Sequence, residues 1–227
     1  MENWDAHVES ESRRFRDGLE RLPQDPDPRQ KQLVRMANAA AGAGLACLMA
    51  ERADEARSWF LEAAARYRES HADAPSGSWG RPIGSVKMRL LGGDVAGAVE
   101  DARWTLSLAP ARSESPIGRY AAVLASLVLG DDDTAAELVG TLRAETEDRF
   151  PRPVADALAG LAARDAATYE DGVRRTLHSF EARAEFLEDV PVADTVLVLE
   201  ALARTRGLET ALSSALLPAP AGSDPLR

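Results

Sequence analysis

Gly93-Asp94-Val95-Ala96-Gly97-Ala98-Val99-Glu100-Asp101-Ala102, followed by Leu106, Leu108 and Pro110, sets the pattern of the chain. A tight Gly-Asp turn leads into a helix that carries a small residue, then larger apolar ones, and ends at a proline. Ala98 and Pro110 stand 12 residues apart. The pattern returns at Leu129-Gly130-Asp131, 37 residues after Gly93, with Ala135 in the small position and Val139 and Leu142 on the same helical face. It returns again at Ala163-Arg164-Asp165, 34 residues after Asp131, leading to Tyr169, Val173 and Thr176. An upstream copy, Ala53-Asp54-Glu55-Ala56, lacks the Gly-Asp turn but keeps Ala56, Phe60 and Ala63 on one face. The four copies span 29–70, 79–110, 116–149 and 151–188.

This succession of turn, small residue, larger apolar residues and closing proline resembles the second half of a tetratricopeptide repeat, and 34 residues is that family's period. The resemblance implies an all-α fold, a right-handed α-α superhelix (a TPR-like solenoid) of about four helix pairs with capping helices. It also implies a concave face that binds a peptide, a helix or another protein. The family's Tyr and Gly positions in the first helix of each pair are mostly absent here, so its peptide-clamp residues cannot be carried over.

Proline and glycine mark the seams, because proline lacks the N–H that a helix interior requires. Pro75-Ser76-Gly77-Ser78, Pro110 to Pro116 and Phe150-Pro151-Arg152-Pro153 separate the pairs, and Gln24-Asp25-Pro26-Asp27-Pro28 ends a polar N-terminal helix within 1–22. The repeat domain is expected over 29–217, with capping helices in 191–217. There Pro191 to Arg206 reads as one apolar helix closed by Gly207, with Val192, Val196, Leu199 and Ala203 inward. The tail 218–227, rich in Pro, Ala and Gly, is expected to be disordered.

Composition narrows the function. With 45% hydrophobic and 28% charged residues the chain is globular, and with only 5% aromatic residues and abundant alanine it favours close helix packing over strands. A net charge of −10 leaves no excess of cations for phosphates, which argues against nucleic acid and against an anionic membrane surface as partners. Lysine is nearly absent: Lys31 and Lys87 are the only two among 27 basic residues. The most apolar window, Tyr120 to Leu129, runs into Gly130-Asp131-Asp132-Asp133 and is too short to span a membrane. The single cysteine, Cys47, follows the small-residue run Ala39 to Ala46 and reads as a buried packing residue. Met1-Glu2-Asn3-Trp4-Asp5 lacks the basic and apolar regions of a signal peptide, so a cytoplasmic location is expected.

Catalytic chemistry finds little support. His7, His71 and His178 are far apart, and none has a His or Cys partner at metal-ligand spacing. Glu181, Glu185 and Glu188 recur at helical spacing without the Glu-x-x-His motifs of a di-iron bundle. Asp131-Asp132-Asp133 lacks the alternating ligands of a calcium loop and reads as a helix cap before Thr134. Neither Gly92-Gly93 nor Gly80-Arg81-Pro82-Ile83-Gly84 makes a phosphate loop. No cofactor or metal is therefore expected, and the chain is read as non-catalytic.

Three residues stand out for partner binding. Trp79 and Arg81, in Ser78-Trp79-Gly80-Arg81-Pro82 between two repeats, are residue types enriched at interface hot spots, although Trp79 could equally plug an inter-repeat gap. His178 sits among Arg174, Glu181 and Glu185 on one helix, where neighbours could tune its imidazole. A second resemblance covers the last third: Asp165-Ala166-Ala167-Thr168-Tyr169, the helix through His178, Val196 to Ala203, and Leu216-Leu217-Pro218 resemble the C-terminal half of the immunity protein forty-nine family. That likeness implies a helical inhibitor of a protein toxin. A scaffold or adaptor binding a protein partner through the concave face is expected first, an immunity-type inhibitor second, and an enzyme with a site near His178 third. The first helix or the 191–206 helix could also serve as a homodimer seam.

Overall fold

The computed structural model describes residues 2–186 and 189–219, and among these the chain is all-α, with ten α-helices, one 3-10 turn and no strand. A polar helix, α1 (Trp4–Glu20), precedes four pairs: α2 (Pro26–Met49) with α3 (Ala53–His71), α4 (Gly80–Leu91) with α5 (Val95–Ser107), α6 (Pro116–Leu129) with α7 (Asp132–Arg143), and α8 (Arg152–Ala163) with α9 (Ala166–Glu181). A last helix, α10 (Asp194–Arg204), follows.

Local chemistry sets most helix ends. Gly93, Gly130 and Gly207 take positive φ of 65°, 76° and 67° just past a helix end, where a side chain would be strained. The aspartates that follow the first two turns then cap the next helix. Asp94 accepts from the Gly97 N–H at 3.0 Å and Asp131 from the Thr134 N–H at 3.1 Å, while Asp165 does the same for Ala167 and Thr168. The aspartate triplet is thus a helix cap, as its sequence suggests. One seam differs from expectation: Pro26 and Pro28 belong to the first turn of α2 rather than to a break before it. Proline is tolerated there, since the first N–H groups of a helix have no internal partner.

Each helix packs on its successor, and α4, α6 and α8 also touch in turn. The buried carboxylate of Asp101 on α5 ties three helices together, accepting from Ser85 Oγ of α4 at 2.6 Å and pairing with Arg68 of α3 and Arg89 of α4. The closest approach is between α8 and α9. A Cβ on Gly160 would fall on the Tyr169 backbone nitrogen, and one on Gly172 would fall on that of Ala157, so the two backbones meet directly.

Two hydrophobic clusters result. One joins α1, α2 and α3, and the other joins α4 with α6 through α10. α4 serves both, with Ile83 and Val86 in the second cluster and Met88 in the first. The C-terminal segment does the same. Val190 and Val192 enter the first cluster, whereas Val196, Leu199 and Leu202 enter the second.

That placement corrects the expected helix over 191–206 and the capping helices over 191–217. Only 194–204 is α-helical, and α10 turns back onto α4, α8 and α9. Burial of Val190 and Val192 against α2 and α3 holds the chain out of the helix, and the Ala193 N–H bonds the Leu216 carbonyl at 3.0 Å. The apolar side of α10 is therefore covered within its own chain and is not free to act as a dimer seam. The tail expected to be disordered lies outside the described residues from 220 onward, as do residues 187 and 188, which include Glu188 of the carboxylate trio. No helix among the described residues is long and apolar enough to cross a membrane.

Candidate functional site

Both α2 and α4 pack on α3, but they scarcely meet each other, and a cleft opens between them. Its outer part is an open groove of about 600 Å³, lined by Lys31, Val34 and Arg35 of α2, by Trp79 and Arg81 at the start of α4, and by Ile117 of α6. Asn38, Tyr67 and Gly80 form a neck shared with a half-closed inner recess of about 230 Å³. Small residues shape the recess. Ala41, Gly42 and Gly84 keep the helix surfaces low, and on Gly84 a Cβ would run into the Tyr67 ring at 2.7 Å. The far wall is Phe180, Arg183, Val190, Val192 and Asp194, all from the C-terminal third.

Five of the lining residues are cationic, Lys31, Arg35, Arg81, Lys87 and Arg183, and one is anionic, Asp194. In a chain of net charge −10 this is a concentrated positive site, and it holds both of the protein's lysines. Lys31 pairs with Asp27 at 2.7 Å. Among the described residues, Arg35 and Arg81 have no carboxylate within 4 Å. Arg35 donates to Gln32 at 3.5 Å, and Arg81 donates to the buried Gln30 amide through Nη2 while its Nε is buried without a hydrogen-bond partner. Burial pulls the Arg81 guanidinium below the usual arginine value, so an anion placed there would relieve an existing cost.

Lys87 and Asp194 pair across the recess, 107 positions apart in sequence and with side chains only 14% and 26% exposed. Burial works against both charges, and their mutual attraction outweighs it, leaving Asp194 below the ordinary aspartate value and Lys87 above the ordinary lysine value. The contribution of Asp194 to stability is therefore present above about pH 4 and is lost as pH falls through its lowered pKa; that of Lys87 is present below about pH 10 and is lost as pH rises. Asp194→Asn is expected to cost about 2 kcal/mol at pH 7, because it leaves an ammonium largely buried without its partner. Melting curves of both proteins from pH 7 to pH 2.5 check this: the gap should narrow below pH 4, and a gap independent of pH would rule out the carboxylate as its source.

Of the three residues singled out in the sequence, the fold brings two together. Trp79 and Arg81 share the outer groove. Trp79 also plugs a gap, since its Nε1 donates to Ser113 Oγ at 3.1 Å and its ring packs on the second cluster. His178 does not join them. It projects from α9 with its side chain 84% exposed, its Nδ1 3.7 Å from Glu181, while Arg174 pairs with Glu170 instead. Among the described residues no group of three or more His, Cys, Asp or Glu side chains is placed to hold a metal ion.

Lys31, Arg35, Tyr67, Lys87 and Asp194 were missed as site residues. One signal was present for two of them: the only lysines in an arginine-rich chain stand 56 positions apart and face one cleft. Comparison with known proteins finds no matching family model, no matching curated protein and no matching solved structure.

Proposed function

We propose that this chain is a non-catalytic binding module, a TPR-like right-handed superhelix of four helix pairs that takes an acidic segment of a partner protein into the cleft between α2 and α4. The observation that carries this is the groove itself: Arg35 and Arg81, which among the described residues have no carboxylate within 4 Å, stand with the apolar surfaces of Trp79, Val34 and Ile117. Guanidinium groups bind carboxylates in bidentate geometry, and a half-buried tryptophan in the same groove supplies apolar contact at little entropic cost. Cations set in a negatively charged surface also steer an acidic segment to one place, because it is repelled elsewhere.

Fluorescence anisotropy with a labelled ten-residue peptide of alternating Leu and Glu tests the proposal. Binding should weaken at least tenfold, about 1.4 kcal/mol, for Arg35→Ala combined with Arg81→Ala, and similarly when Gln replaces Glu in the peptide. Binding that ignores both changes would sink it. The immunity-type inhibitor keeps one supporting observation, the net charge of −10, which would steer a basic toxin to the outer surface. A basic partner whose affinity is unaffected by the arginine substitutions would favour that alternative.

A further inference from the structure

The far wall of the inner recess is built by the chain's own C-terminal third. Val190 and Val192 contribute buried side chains to the cluster of α2 and α3, and two positions on, Asp194 sits on Lys87. Pro191 lies between the valines, where its fixed φ and missing N–H favour an extended backbone. The sequence leading into this contact, Glu185-Phe186-Leu187-Glu188-Asp189-Val190-Pro191-Val192-Ala193-Asp194, has four carboxylates and no cation. Of this stretch, Phe186, Val190, Val192 and Asp194 line the recess, so apolar side chains and one carboxylate lie against the cationic cleft described above. About 230 Å³ of the recess stays open beside these side chains.

Resting on the groove reading above, we infer that Val190–Asp194 is an intramolecular stand-in for the partner, and that the recess recognises an aliphatic-x-aliphatic-x-acid stretch. The partner's aliphatic side chains replace Val190 and Val192 against α2, and its carboxylate replaces Asp194 on Lys87. The chain's own copy holds the recess shut until it is displaced, so the apparent affinity is the intrinsic one reduced by the fraction of molecules whose recess is open. Because the valines leave space, leucines in their place make the better ligand.

The test uses the full chain and a labelled peptide, Glu-Phe-Leu-Glu-Asp-Leu-Pro-Leu-Ala-Asp, in an anisotropy titration. Asp194→Asn should bind it at least tenfold more tightly than the unsubstituted chain, and a peptide ending in Asn should lose that gain. If Asp194→Asn binds no more tightly while Arg35→Ala with Arg81→Ala still weakens binding, the stand-in is overturned and the groove reading survives. If the arginine substitutions also have no effect, both fall. Hydrogen exchange on the unsubstituted chain guards against a variant that folds poorly. The amides of Val190, Val192, Ala193 and Asp194 should exchange faster when unlabelled peptide is saturating, and unchanged or slower exchange overturns the stand-in.

Discussion

Phe60→Ala is expected to lower the unfolding free energy by about 4 kcal/mol. Phe60 on α3 is fully buried, and its ring lies against α2 at Gly44, where a Cβ would come within 2.7 Å of it. Truncating it opens a cavity against α2 at Gly44, which has no side chain to extend into the space. A cavity that cannot collapse costs its full volume in addition to the lost transfer energy. Guanidinium unfolding measures the loss, and a value below about 1.5 kcal/mol would mean that α2 and α3 close up freely.

Gly160→Val is expected to cost about 3 kcal/mol through the opposite fault, too much volume rather than too little. The obstacle is the Tyr169 backbone, which cannot rotate aside as a side chain would. α9 must move as a body. That shift pulls the Tyr169 hydroxyl from Glu200 of α10, to which it donates at 2.6 Å, and so loosens the helix that begins at Asp194. Chemical denaturation checks the magnitude, and a loss under about 1 kcal/mol would place the two helices further apart than described. The pair of variants also tests cooperativity. Because α4 and the segment from Val190 to Leu202 contribute to both clusters, each variant should move one common transition. A separate early step in Gly160→Val alone would show that the clusters unfold independently, as repeat units can.

The helices and their order were legible in the sequence because what sets them acts within a turn or two of the chain. Asp94, Asp131 and Asp165 cap the helix they precede, and Gly93, Gly130 and Gly207 take the left-handed conformation where a helix stops. Apolar spacing such as Ala56, Phe60 and Ala63 shows which face is buried, since any partner surface will do. The groove was half legible: Trp79 and Arg81 drew notice by residue type, but nothing local said that Lys31 and Arg35, nearly 50 positions earlier, would face them.

The place of Val190 to Asp194 in the fold could not be read from its apolar pattern. The apolar spacing from Pro191 onward matches a helix, and by itself it does not show that the helix begins only at Asp194. Two long-range terms override it: burial of Val190 and Val192 against α2 and α3, and the attraction of Asp194 to an ammonium 107 positions away. By itself, then, the sequence determined the helices, most of their ends and their buried faces, through hydrogen bonds and periodicity a few residues long. Only the tertiary structure decided where the last helix would dock and that the two lysines would line one cleft, because burial and charge pairing between distant segments depend on positions in space that no local pattern encodes.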